Sequence, residues 1–294
     1  MNLLVAVDFT DLTNPLLQLA KSIASLHSGK VYLLHAVEPI LLFPLPESFS
    51  ISTIDFQLVA EAQEKSKKLA EEKLKGLVNY LSPLEVQTIV EVGDPVEVIL
   101  QKEDMADLVL MGSHKKGLIE RVLIGSTAEK VARYSKKPVL ILKGKLVESF
   151  RKVLIAFDYS SYSEKALEFA VKLLRPMKPE IILLHVKETL EIPLVEHIKS
   201  SVSEVYEREK EVYLRNRVES LQAEGITASY KFVETGLYLS VWEAIVNQAK
   251  EEDVDLIVLG SKGMSALERV LLGSVSEKVL RRSEIPILIH RETA

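Results

Sequence analysis

The chain contains no cysteine. That absence excludes disulfide scaffolds, thiolate metal sites, iron–sulfur clusters and cysteine nucleophiles together. It also lacks an excess of positive charge: 37 Lys and Arg stand against 42 Asp and Glu, a net −5. A nonspecific nucleic-acid binder wants a basic surface, so nucleic acid is not an expected partner. No apolar run reaches the roughly 20 residues of a membrane-spanning helix, so no membrane role is expected. The start, MNLLVAVDF, has no basic stretch before its apolar residues and carries an acid at Asp8. No secretory signal is read there, and a cytoplasmic protein is expected. Six histidines are present, but none falls in an HExxH or a tight His/acid cluster, so no metal site is expected. With 294 residues, 47% hydrophobic and 27% charged, the remainder is an ordinary globular chain with length for about two domains.

What is present is one unit written twice. LLVAVDFTD from Leu3 returns as VLIAFDYSS from Val153, and LLHAVE from Leu33 as LLHVKE from Leu183. DLVLMGS from Asp107 returns as DLIVLGS from Asp255, and ERVLIGSTAEKV from Glu120 as ERVLLGSVSEKV from Glu268. The offsets are 150, 150, 148 and 148, so the order is kept with only small insertions. This is a tandem duplication. The boundary is placed in the polar stretch from Lys143 to Arg151, giving domains over 1–143 and 152–294.

Each copy alternates short β-branched runs with helical spacing. Strands are expected over Leu3–Asp8, Val31–Val37, Val86–Val92, Leu108–Gly112 and Val139–Leu142. Between them, Pro15–Ser28, Ala60–Tyr80, Pro95–Glu103 and Ser126–Ser135 repeat apolar residues at three and four. The second copy gives strands near Val153–Asp158, Ile181–Val186, Ser229–Glu234, Leu256–Gly260 and Ile287–His290. Near-continuous apolar strands separated by helices mean a parallel sheet covered on both faces. The expected fold is α/β: two tandem, doubly wound, five-stranded Rossmann-like domains. Pro39–Thr53 reads as a long loop, and the Glu/Lys-rich helices Ala60–Tyr80 and Val205–Glu224 read as solvated faces.

Ligands of such sheets bind beyond the carboxyl ends of the strands. There the second copy carries Gly260-Ser-Lys-Gly263, nine residues, then Gly273-Ser274. Glycines let backbone N–H groups approach phosphate oxygens, and a helix opening at Ser274 favours an anion. A competing reading is local: Ser274-x-x-Glu277 and Ser126-x-x-Glu129 both fit a capping box, in which the serine only closes its own helix. Asp8 and Asp158, at the ends of the first strands, suit a ribose hydroxyl or a divalent ion; they also suit a turn. His35 and His185 lie in apolar strands and read as hydrogen-bonded core histidines. Arg121 and Arg269 suit either a phosphate contact or a stem laid over the sheet edge.

Taken together, strand–Asp–x–Ser/Thr, LLHV and G-x2-G-x9-G-S resemble the universal stress protein family over nearly the whole chain, once per half. The resemblance implies an adenine-nucleotide site for ATP or AMP, with Mg²⁺ accompanying ATP. In the second half it implies Ala156 and Asp158 at the adenine and ribose end, and Val186 offering its backbone to adenine. Gly260, Gly263, Gly273, Ser274 and Val275 would cradle ribose and phosphates. The first half keeps Asp8, Ala36, Gly112, Gly125 and Ser126, but Lys115 stands at the second glycine and Gly117 comes two places late. The resemblance further implies that the two last strands pair antiparallel, making the chain its own pseudo-dimer about a pseudo-twofold axis; whole chains could pair further as a homodimer.

Three functions stay open: a nucleotide-binding stress or regulatory protein without strong catalysis, a slow ATP-hydrolysing or adenylate-transferring enzyme, and a ligand-free interaction module. HxGH, SGGxDS, the P-loop and GxGxxG are all missing, which disfavours the enzyme. The halves are expected to be unequal, because a Cβ at Lys115 obstructs close backbone approach. Gly263→Val is expected to abolish tight nucleotide binding by calorimetry, and Lys115→Gly to leave it unchanged. Retained affinity in Gly263→Val with loss in Lys115→Ala would place the site in the other half.

Overall fold

A computed structural model describes residues 1–40, 56–113, 125–144, 147–188, 196–236, 239–263 and 272–291. Lys115, Gly117, Arg121 and Arg269 lie outside them, as does most of Pro39–Thr53. The chain divides into two compact units, Met1–Gly112 and Ser113–Ala294.

The first unit runs β1 (Leu3–Ala6), α1 (Thr13–Leu26), β2 (Val31–Val37), α2 (Phe56–Val78), β3 (Val86–Val92), α3 (Pro95–Lys102) and β4 (Leu108–Gly112). Its strands lie in the order β3-β2-β1-β4, all parallel. Leu3, Leu4, Val5, Leu108, Val109 and Leu110 are wholly buried, as central parallel strands require. α3 starts where Asp94 accepts the N–H groups of Val96 and Glu97, with Pro95 in the first turn.

The second unit holds α4 (Ser126–Tyr134), β5 (Val139–Leu142), β6 (Lys152–Ala156), α5 (Ser161–Leu174), β7 (Glu180–Lys187) and α6 (Glu196–Ala223). After them come β8 (Thr227–Glu234), α7 (Val241–Glu251), β9 (Leu256–Gly260), α8 (Ser274–Arg282) and β10 (Ile287–His290). The strand order is β5-β10-β9-β6-β7-β8. All neighbours are parallel except β5 and β10, which pair antiparallel with Ile287 opposite Ile141 and Ile289 opposite Val139. The two last strands therefore do meet, and two apolar edges cover each other.

Two strand ends differ from the sequence reading. β1 and β6 stop at Ala6 and Ala156, so Asp8 and Asp158 lie in the turns beyond. The cause is local: each aspartate accepts the N–H and hydroxyl of the residue two places on, and the residue between is left-handed, φ 58° at Phe9 and 65° at Tyr159. The chain turns out of the sheet there. α6 starts at Glu196, ahead of the expected Val205.

Cations following β5 and β10 close the opposite repeat's last helix. The Lys143 ammonium donates to the carbonyls of Leu280 and, at 2.7 Å, Ser283, at the end of α8. Arg291 donates to the carbonyl of Arg133 at the end of α4. Between the helices, Arg281 meets Glu129 at 2.5 Å and Arg133 meets Glu277 at 2.9 Å.

Lys143 is 1% exposed, and burial pulls its pKa down to about 7, with Glu284 opposing. Deprotonated, the amine still has two hydrogens for the same carbonyls. Between about pH 7 and the ordinary 10.5, the unfolded chain holds a proton that the folded chain has shed, so this group's contribution to stability rises with pH. The melting temperature of the natural protein should therefore gain on that of Lys143→Met as pH rises from 7 to 10. A difference flat across that range would mean the ammonium titrates as if in water.

Candidate functional site

The site is built where β6, β7 and β9 end. Asp158, in the turn after β6, commits Oδ1 to the N–H of Ser160 at 3.1 Å and its hydroxyl at 2.5 Å. Ser160 in turn caps α5, accepting the N–H of Ser163 at 3.1 Å. The aspartate is thus both a turn residue and, through Oδ2, a face of the site. Tyr159 pays for its left-handed backbone with anchorage: its phenol donates to the carbonyl of Lys210 on α6 at 3.0 Å. Burial raises the pKa of that phenol and keeps it a donor.

His185, near the end of β7, places Nδ1 2.8 Å from the carbonyl of Phe157, the residue just before Asp158. A carbonyl only accepts, so Nδ1 carries the hydrogen. Burial lowers the pKa of the ring and favours the neutral form. The ring lies between Tyr159 and Phe232, with centroids at 4.7 and 5.0 Å. The first unit repeats the device: His35 Nδ1 stands 2.8 Å from the carbonyl of Val7, and the ring packs on Phe9. Both histidines brace the strand end that carries the aspartate, His185 buried and His35 half-buried.

β9 ends in Gly260, where a Cβ would lie 2.9 Å from the backbone C and O of Tyr162 on α5. That glycine admits the close approach of a helix. At Gly263 a Cβ would lie 2.7 Å from Asp158 Oδ2, so this glycine brings the loop and the carboxylate together. Gly273 packs on the backbone of Lys262 and donates its N–H to the carbonyl of Ser261 at 2.7 Å.

The capping-box reading is overturned. Gly273 and Gly125, extended at ψ 150° and 147°, occupy the cap positions, and neither helix has a side-chain cap. Ser274 and Ser126 are the first helical residues, one place too late to cap. The carboxylate of Glu277 is instead 2.9 Å from Arg133 and 3.1 Å from Arg281. The first intrahelical N–H bond of α8 is Glu277 to Gly273, so the N–H groups of Ser274, Val275 and Ser276 have no carbonyl within the helix. The Ser276 hydroxyl donates to the carbonyl of Gly260 at 2.8 Å and ties this helix end to β9.

A cavity of about 560 Å³ opens at this point, within the usual range for small-ligand sites. Ala156, Asp158, Val186, Gly260, Gly263, Gly273, Ser274 and Val275 all line it. Of the first repeat's candidates, Asp8, Ala36 and Gly112 fall in the first unit, and Gly125 and Ser126 in the second. The sequence reading missed Lys262, Glu188, Lys210 and the apolar pair Val241 and Ile245 of α7, which also line the cavity. Lys262 stands inside the glycine motif and was open to notice. Lys210 is the single lysine of Val205–Glu224, a helix read as solvated, and no spacing marks it.

The glycines separate by substitution. Gly260→Ala meets backbone and should destabilise the protein by about 1–3 kcal/mol, read from its denaturation midpoint. Gly263→Ala meets only the end of a carboxylate side chain and should leave the midpoint nearly unchanged. Equal loss in both would refute this division of roles.

The universal stress protein family matches the chain twice, over residues 1–143 and 149–291. The universal stress protein YxiE of Bacillus subtilis is 36% identical over 153 residues, covering 48% of this chain and 99% of its own. A universal stress protein of Mycolicibacterium smegmatis is 25% identical over 313 residues, 98% of this chain and 96% of its own. The crystal structure of a universal stress protein from Archaeoglobus fulgidus shares the fold, with TM-score 0.71 and 24% identity, over 99% of this chain and 96% of that one. Among the described residues no helix is long and apolar enough to cross a membrane. Two matches in tandem that together span nearly all of its length make this chain a member of the universal stress protein family.

Proposed function

We propose that the second repeat binds an adenine nucleotide, ATP or AMP, and acts as a regulatory binding protein, with little or no turnover. One observation carries the reading: the uncapped first turn of α8 offers three N–H groups without helical partners beside a cavity of about 560 Å³. Such a turn favours an anion, because its N–H groups and the helix's positive end act together. The adenine part rests on the family resemblance. The apolar wall of Ala156, Val186, Val241 and Ile245 suits a flat base, and the carboxylate of Asp158 on the same cavity suits a ribose hydroxyl.

The case against strong catalysis is also geometric. Asp158 already serves its turn through Oδ1, and the Nδ1 hydrogen of His185 goes to the Phe157 carbonyl, with Nε2 buried and without a hydrogen-bond partner. Among the described residues no hydrogen-bond partner orients His185 Nε2 as a general base. Among the described residues no group of three or more His, Asp or Glu could hold a metal ion. Mg²⁺ would then enter with the phosphates of ATP.

Calorimetry with ATP, ADP and AMP, and mass spectrometry of the ligand released on denaturation, test the proposal. Binding is expected in the micromolar range or tighter, with Mg²⁺ altering the affinity for ATP most. Absence of binding at millimolar nucleotide would leave a ligand-free interaction module. Rapid phosphate or pyrophosphate release would favour the enzyme.

A further inference from the structure

On the cavity wall, Lys262 lies where a cation, the glycine loop and the opening of α8 come together. It sits between Gly260 and Gly263, and its Cα lies 3.4 Å from where a Cβ on Gly273 would stand, against the N-cap of α8. Its ammonium is laid over the ring of Tyr162, 5.5 Å from the centroid. Tyr162 is itself held, because its backbone is what Gly260 packs against. The ring therefore keeps a positive charge at the loop through a cation–π contact.

We propose that Lys262 senses the length of the phosphate chain, favouring nucleoside di- and triphosphates over the monophosphate. This rests on the nucleotide reading above. The charge balance gives the reason. The positive end of α8 amounts to roughly half an elementary charge, suited to one phosphate group. Asp158 opposes it, with Oδ2 2.7 Å from the Cβ position of Gly263. Each further phosphate adds negative charge, and a cation on the loop beside the opening of α8 is placed to answer it.

Among the described residues two lysines line the cavity. Lys210 belongs to α6, with Glu207 at 3.3 Å and the Tyr206 ring centroid at 4.7 Å. Lys262 alone of the two is on the loop. A lysine suits this task, since its compact charge on a four-carbon stem can leave an aromatic ring and follow a phosphate.

The test is the affinity of Lys262→Met for AMP, ADP and ATP, measured at one ionic strength with and without Mg²⁺. Methionine keeps the apolar stem and removes the charge. ADP and ATP should lose roughly tenfold or more, the scale of one charge-assisted hydrogen bond, while AMP changes less than about twofold. Lys262→Arg should recover most of the loss. Equal loss for all three nucleotides, or no loss for any, overturns the assignment while leaving nucleotide binding intact. Failure of the unsubstituted protein to bind any of them overturns the nucleotide reading, and this assignment with it.

Discussion

The candidate site depends on β9 ending in a residue without a side chain. At Gly260 the backbone of α5 comes so close that any Cβ would lie 2.9 Å from Tyr162. That approach sets the start of α5, and the start of α5 sets Ser160 and the turn of Asp158. The carbonyl of the same glycine receives the Ser276 hydroxyl and so fixes the opening turn of α8. One residue thus positions the carboxylate and the helix end on either side of the cavity. A larger residue there would push both away from the cavity together.

The two repeats obey the same rule with different fillings. A Cβ at Gly112 would lie 3.3 Å from the Leu12 side chain, where one at Gly260 would lie 2.9 Å from the Tyr162 backbone. Phe9 packs on His35 as Tyr159 packs on His185, but phenylalanine has no hydroxyl to tie the turn to a helix. A lysine covers the aromatic residue in both, Lys73 over Phe9 and Lys210 over Tyr159. The bracing of the strand end is common to both repeats, whereas the polar tie from Tyr159 to α6 belongs to the second.

Much of this was legible in the sequence, because repetition and strand-end chemistry are one-dimensional signals. The eight candidates of the second half converge on one cavity because each sits at a strand end or a helix start, and topology brings those ends together. The aspartates were misplaced by two residues because hydrophobicity continues through Val7 and Phe157 while the backbone has already left the sheet. S-x-x-E misled for a similar reason. The pattern counts from the serine, but the extended residue is the glycine before it, and the glutamate has arginine partners across the helix pair. Lys210 reaches the cavity from α6, and Lys143 reaches α8 from the other repeat. Contacts of that range leave no local pattern.

The helix pair also explains how a chain of net −5 can hold a site suited to anions. Acids of the first turns, Glu129 and Glu277, would ordinarily answer the positive helix ends themselves. Here Arg281 and Arg133 draw both carboxylates across to the partner helix. At the other end of α8, Lys143 satisfies the carbonyls of Leu280 and Ser283 from within the core. The negative end is closed by protein and the positive end is left to the cavity. The field that matters is that of one helix over a few ångströms, and it differs in sign from the field of the whole chain.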